Sequence, residues 1–253
     1  MGNKLVLTGN YAAAEAAALC SPDLIAAYPI TPQSSVVEHL AELVHGGKLD
    51  AELVQVESEH SAMSVVQGAA AGGGRVFTAT SAQGLALMYE PYFRMSTLRL
   101  PMVMAIATRE MTSPESIWSG QQDVMSVRDA GWIQLFCDSN QEIADMIIQG
   151  YMIAENPEVS IPVNVCYDGF YSSHLTSGVD MPTQAEVDAF EGTEYRGLLR
   201  GMMNAFTEKF GFLPMMHDPM ALAMLAAPEL FTFERRRIAV ETRGILTRGT
   251  LVD

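Results

Sequence analysis

Positive charge is scarce in this sequence. Its 253 residues hold 15 Lys and Arg against 30 Asp and Glu, a formal net charge of −15. Residues 192–253 carry eight basic and seven acidic side chains, which leaves seven basic and 23 acidic before them. The net is therefore +1 in the tail and −16 in residues 1–191. A body that acidic repels phosphate backbones, so nucleic acid is excluded as a partner. Cysteine is scarce too. Cys20, Cys137 and Cys166 stand far apart and no Cys-x-x-Cys occurs, so neither a zinc site nor an iron–sulfur cluster is encoded. Single buried thiols are the expectation. No apolar run approaches the ~20 residues of a membrane span. The opening stretch MGNKLVLTGNYAAAEAAALC has one Lys, an interrupting Glu15 and no cleavage site, so it lacks the shape of a signal peptide. The reading is a cytoplasmic protein with no membrane partner.

Methionine is abundant, with 17 residues, and it is read chiefly as filler of an irregular core. Through residue 175 apolar strands alternate with helices. DLIAAYP, ELVQVE, RVFTATS, LPMVMAIAT, GWIQLFC and VSIPVNVCYD read as strands. AAAEAAAL, QSSVVEHLAELVHGG, HSAMSVVQGAAAGG, GLALMYEPYFRM and QEIADMIIQGYMIAEN read as helices. Continuous apolar strands alternating with helices predict an α/β fold, a parallel sheet covered by helices on both faces. In such sheets ligands sit at the carboxyl ends of strands. Residues 1–175 are read as one domain and the polar stretch 176–191, without strand signal, as a linker. Residues 192–253 are read as a small α/β fragment.

Three strand exits carry candidate chemistry. In AYPITPQS, two prolines bracket Thr31 and stiffen the turn. That turn either presents the Thr31 hydroxyl to a ligand or is a plain β-to-helix connection. In VESEHSAMS, Glu57, Glu59 and His60 lie where a strand gives way to a helix. An acid there either complements the helix dipole or meets a ligand nitrogen. In AIATREMTSPESIW, Arg109 and Glu110 follow the most apolar strand. Arg109 suits a two-pronged grip on a substrate carboxylate, or a structural ion pair.

YPITP, SEHSAM, TATSAQGLALM, ATRE and QQDVMSVRDAGWIQL occur in this order. Residues 5–190 thereby resemble the α subunit of the 2-oxoacid:ferredoxin oxidoreductases, the multi-subunit pyruvate enzymes most closely. The resemblance implies a thiamine-diphosphate fold and, within it, the domain that holds the aminopyrimidine. It implies that Glu59 bonds the pyrimidine N1′ and so helps the cofactor lose its thiazolium proton. It implies that Thr31 and Arg109 hold the substrate carboxylate, and that Pro29, Ser81 and Gln83 line the cofactor side. Oxidative decarboxylation of pyruvate to acetyl-CoA is the implied reaction, with coenzyme A as co-substrate. The family's diphosphate and its magnesium are held by a GDG motif. None occurs here, so no metal ligand is expected in this chain. The implied partners are a β subunit bearing GDG, a γ subunit, a ferredoxin-like subunit carrying iron–sulfur clusters, and ferredoxin as electron acceptor.

The tail, GFLPMMHDPMALAMLAAPELFTFERRRIAVETRGILTRGTLVD, has a different likeness. With the residues from 192 on, it resembles a C-terminal fragment of the nucleoside hydrolases. That resemblance implies an acid at His217 and a calcium ligand at Asp218. The family's Asp-rich metal motif is absent, and one Asp cannot supply the oxygens calcium needs. The expectation is therefore a fused fragment without hydrolase activity.

Overall fold

The computed structural model describes residues 3–111, 117–190, 239–240 and 251–252. The chain runs β1 (Asn3–Thr8), α1 (Gly9–Leu19), β2 (Leu24–Ala27), α2 (Ser34–His45), β3 (Glu52–Gln55) and α3 (Glu59–Ala71). It continues through β4 (Val76–Thr80), α4 (Ala82–Leu87), α5 (Tyr89–Thr97), β5 (Val103–Thr108), α6 (Gln122–Ser126) and β6 (Ile133–Cys137). Then follow α7 (Asn140–Ala154), β7 (Val163–Asp168), α8 (Tyr171–His174), β8 (Thr176–Met181) and α9 (Gln184–Phe190).

Strands β2 to β7 form one parallel sheet in the order β3-β2-β4-β5-β7-β6. Every residue of the central strands β4 and β5 is buried, while β3 and β6 at the edges expose part of their surface. That is the reason the central strands read as unbroken apolar runs. One face is covered by α1, α2 and α7, where five alanines of α1 lie fully buried against Ile25, Phe77 and Val165. The other carries α3, α4, α5 and α6 over a core rich in Met63, Met88, Met95, Met102 and Met104. These methionines fill the interior as expected, and all three cysteines are buried. No helix among the described residues is long and apolar enough to cross a membrane.

Serine and threonine at strand exits start the helices. Thr8, Ser58 and Ser139 each accept an N–H from three residues on, at 3.2 Å. Each such cap contributes about 1 kcal/mol. The parallel sheet and its two helical layers match the sequence reading.

The sequence signalled neither strand of a second, smaller sheet. β1 pairs antiparallel with β8, Leu5 opposite Val179 and Asn3 opposite Met181. The stretch 176–191, read as a linker without strand signal, thus holds β8 and then α9, whose Val187 is buried in the core. The single predicted helix GLALMYEPYFRM divides at Met88 into α4 and α5. Of residues 192–253, those described are 239–240 and 251–252, which pair antiparallel as β9 (Ala239–Val240) and β10 (Leu251–Val252). His217 and Asp218 lie outside the described residues.

Candidate functional site

All three candidate strand exits open at the carboxyl edge of the sheet, because the strands run parallel. Contacts join them into one surface. The turn after β2 reaches across the sheet. Asn10 of α1 donates to the Pro32 carbonyl at 2.7 Å and to Ser35 Oγ at 2.8 Å. The Tyr167 hydroxyl donates to Asn10 Oδ1 at 2.9 Å. The Thr31–Pro32 turn is therefore moored to α1 and, through Tyr167, to β7. Gly169, just past β7, packs between the Thr108 carbonyl and the Pro32 ring: a Cβ on it would lie 3.2 Å from Pro32 Cγ. This brings the turn beside Thr108 and hence beside Arg109. Thr31 and Pro29 are exposed on that turn, open to a ligand.

Arg109 is buried, 8% exposed, and its Nη2 donates to Gln83 Oε1 at 2.6 Å. Gln83 in turn donates from Nε2 to the Met111 carbonyl at 2.5 Å. Among the described residues no carboxylate pairs with the guanidinium, and its buried Nε has no partner. The alternative reading of this residue, a structural ion pair, therefore finds no partner among the described residues. Burial pulls the Arg109 guanidinium below its ordinary value, and the charge of Asp123 partly offsets that. A buried cation with a free donor is poised for an incoming anion.

Glu59 is the first residue of α3 and only 4% exposed. Its carboxylate accepts no hydrogen bond from any described residue. Its neighbours differ: Glu57 is exposed and accepts from Ser61 Oγ at 2.7 Å, while His60 points outward near Glu90. Gly84 leaves the room that Glu59 occupies, since a Cβ on Gly84 would lie 2.8 Å from Glu59 Oε1. Thr80 Oγ1, fully buried against the same glycine, has no partner among the described residues. A buried carboxyl with no donor among the described residues fits a ligand ring nitrogen with which it can share a proton, donating to the nitrogen of an aminopyrimidine or accepting from its imino tautomer.

Ser81 is fully buried and its hydroxyl donates to the Ala107 carbonyl at 2.7 Å, which ties the end of β4 to β5. Its proton is thus used within the fold. Gly84 and Asp123 lie against these candidate residues and were not singled out from the sequence. Asp123 of α6 accepts backbone N–H groups from Ala82 and Arg109. Burial pushes the Asp123 carboxyl above the usual value, and these backbone donors pull it back.

The chain is similar to known proteins. A profile described as "Pyruvate flavodoxin/ferredoxin oxidoreductase, thiamine diP-bdg" matches residues 15–232. The chain is 53% identical over 190 residues to the NADH-dependent phenylglyoxylate dehydrogenase subunit alpha of Aromatoleum evansii, covering 75% of this chain and 46% of that protein. It is 55% identical over 187 residues to pyruvate synthase subunit PorA of Methanocaldococcus jannaschii, covering 74% of this chain and 48% of that one. Among solved structures, the 2-oxoglutarate:ferredoxin oxidoreductase from Magnetococcus marinus, with 2-oxoglutarate, coenzyme A and succinyl-CoA bound, superposes with a TM-score of 0.65 at 26% identity. That likeness covers 73% of this chain and 32% of the other. The chain spans about half the length of the curated relatives it matches. With the profile covering most of its length, the chain belongs to the pyruvate flavodoxin/ferredoxin oxidoreductase family, in its thiamine-diphosphate-binding part.

Proposed function

We propose that this chain is the aminopyrimidine-side, α-type subunit of a 2-oxoacid:ferredoxin oxidoreductase, with pyruvate as substrate and acetyl-CoA as product. One observation carries the reading: a buried carboxylate, Glu59, and a buried cation, Arg109, whose Nε has no partner among the described residues, open on the same sheet edge. Glu59 holds the pyrimidine N1′ and shares its proton. Arg109 and the Thr31 hydroxyl take the carboxylate of the 2-oxoacid, and Gln83 fixes the orientation of the guanidinium. Pro29 and Ser81 shape the wall toward the cofactor. Thiamine diphosphate, when bound, supplies the electron sink for loss of carbon dioxide.

The remaining parts of the reaction belong to partner chains. A β subunit with a GDG motif holds the diphosphate and magnesium. A γ subunit and a ferredoxin-like subunit with iron–sulfur clusters complete the complex, with ferredoxin as acceptor and coenzyme A as co-substrate. The site of action is the cytoplasm. Residues 192–253 are a nucleoside-hydrolase-like fragment that adds no hydrolase chemistry.

Co-expression with such partners and anaerobic assay on pyruvate, phenylglyoxylate and 2-ketoisovalerate test this reading. The complex should reduce ferredoxin, and the chain alone should not turn over any 2-oxoacid or cleave inosine or uridine. Glu59→Gln should lower kcat by roughly 10²- to 10⁴-fold, the usual weight of a positioned proton-transfer group. Arg109→Ala should raise the 2-oxoacid KM by roughly 10- to 100-fold, since a charge-assisted hydrogen bond contributes about 1.5–3 kcal/mol. Unchanged kcat/KM in both variants, or turnover by the isolated chain, defeats the assignment.

A further inference from the structure

Asp123 is fully buried, and among the described residues no side-chain cation makes direct ion-pair contact with it, although the Arg109 guanidinium lies near enough for the two charges to interact. Its two oxygens meet three backbone amides. Oδ2 accepts from the N–H of Ala82 at 3.0 Å and of Arg109 at 3.1 Å. Oδ1 accepts from Val124 at 2.8 Å, a bond within its own helix turn. The first two bonds join different strand exits. The ladder between β4 and β5 ends with Thr80 opposite Ile106. Ala82 and Arg109 both lie beyond it, where sheet pairing no longer fixes the backbone. Ala82 also has φ +40°, a left-handed conformation that a residue with a Cβ keeps only where its surroundings impose it.

What these amides carry gives the bridge its meaning. Ala82 directly precedes Gln83, whose Oε1 receives the Arg109 guanidinium at 2.6 Å. One carboxylate oxygen therefore sets the spacing of the two backbone segments from which the Gln83–Arg109 pair grows. A charged acceptor is well suited to this, because hydrogen bonds to an ionised group are shorter and stronger than neutral ones. An apolar residue of equal size would pack as well but would leave both amides buried and unpaired.

We propose that Asp123 is a positioning residue for 2-oxoacid binding: through Oδ2 it clamps the backbone amides of Ala82 and Arg109 and so presets the Gln83–Arg109 pair for the substrate carboxylate. The proposal rests on Arg109 as the group that receives that carboxylate. Asp123 does not touch the substrate and acts through Arg109.

The test is a double-mutant cycle in the assembled complex, made with Asp123→Ala, Arg109→Ala and the pair together. Asp123→Ala should raise the 2-oxoacid KM about 10- to 100-fold, the scale of a misplacement near 1 Å, with kcat and thiamine-diphosphate affinity little changed. The pair should be no worse than Arg109→Ala alone, because the clamp has nothing left to position. Hydrogen exchange of the peptides holding Ala82 and Arg109, read on the full chain, should speed up in Asp123→Ala. If Arg109→Ala leaves KM unchanged, the role of Arg109 and this inference fall together. If Arg109→Ala raises KM and Asp123→Ala does not, or if the two effects add fully, the inference alone is overturned. Should Asp123→Ala fail to fold, Asp123→Asn decides. Its amide oxygen can keep the bonds to Ala82 and Arg109, while its NH2 gives up only the bond that Oδ1 accepts from Val124 within the helix turn, so KM should stay within about threefold of wild type, below the tenfold that 1.4 kcal/mol represents. A KM as high as that of Arg109→Ala would show that the bridge is not what matters.

Discussion

Gly84 has no side chain at the point where α4 passes Glu59. A Cβ there would lie 2.8 Å from Glu59 Oε1 and 3.0 Å from its Cγ, and nearer still to Thr80 Oγ1. Alanine gains about 1 kcal/mol of helix propensity over glycine. Crowding a packed interior costs about 1–3 kcal/mol, so stability should change little while Glu59 is displaced. In the assembled complex, Gly84→Ala is expected to lower turnover about tenfold or more, the equivalent of 1.4 kcal/mol lost from the transition state. Gly178→Ala, whose Cβ would meet nothing within 4 Å, is the control. Full turnover in Gly84→Ala would mean that Glu59 need not occupy its present place. Thr31, Glu59 and Arg109 could be picked out in the sequence as candidates because each follows an apolar strand, while their roles rested on the resemblance to the family. Gly84 and Asp123 could not be picked out. A glycine within a helix and an acid in QQDVM gain their meaning from chain segments that only folding brings beside them.

The ribbon of β1 and β8 shows the same limit among elements. Central strands announce themselves by unbroken apolar runs, but β8 reads TSGVDM and turns only Val179 and Met181 inward. Two buried positions in a polar, glycine-containing stretch give too short an alternation to be seen. The ribbon is nonetheless tied in. Asn140, at the start of α7, donates to the carbonyls of Leu7 at 2.9 Å and Leu175 at 2.8 Å. Val179, Met181 and Val187 are each at most 3% exposed, and burying such a side chain contributes about 1.5–3 kcal/mol. A chain ending at residue 190 should therefore unfold cooperatively. One ending at residue 175 should lose several kcal/mol, with the inner face of β1 uncovered. Denaturant titration of both truncations checks this, and equal midpoints would mean that β8 and α9 add nothing to the domain.

Over the whole molecule, burial acts on weak acids that are neutral at ordinary pH. It pushes the Cys137 thiol from 9.0 up to about 12, with Glu142 and Asp145 adding to the effect. It raises Cys166 well above 9.0, and the Tyr151 phenol well above 10.0. A folded value above the unfolded one means that the unfolded chain releases its proton first. The stability these groups contribute is fully present below pH 9 and is lost as pH rises from about 9 toward 12. Denaturant midpoints should hold steady from about pH 7 to 8.5 and fall beyond that. Cys137→Ser should flatten part of the fall, and a midpoint constant through pH 11 would contradict the assignment.

The two faces of the sheet are built from different materials, and that difference divides the molecule's response to an oxidant. Alanine lines α1 on one side, where Cys20, Cys137 and Met181 are the buried groups an oxidant could attack. The layer that carries Glu59, Gln83 and Asp123 rests on Met63, Met88, Met95, Met102 and Met104, all at most 1% exposed. Among the methionines of the described residues, peroxide should reach Met125 and Met152 first, at 41% and 43% exposure, and leave the buried five intact while that layer stays shut. Once the layer opens, sulfoxides form beneath the site. Polar sulfoxides no longer fit a dry interior, so damage there prevents reclosure.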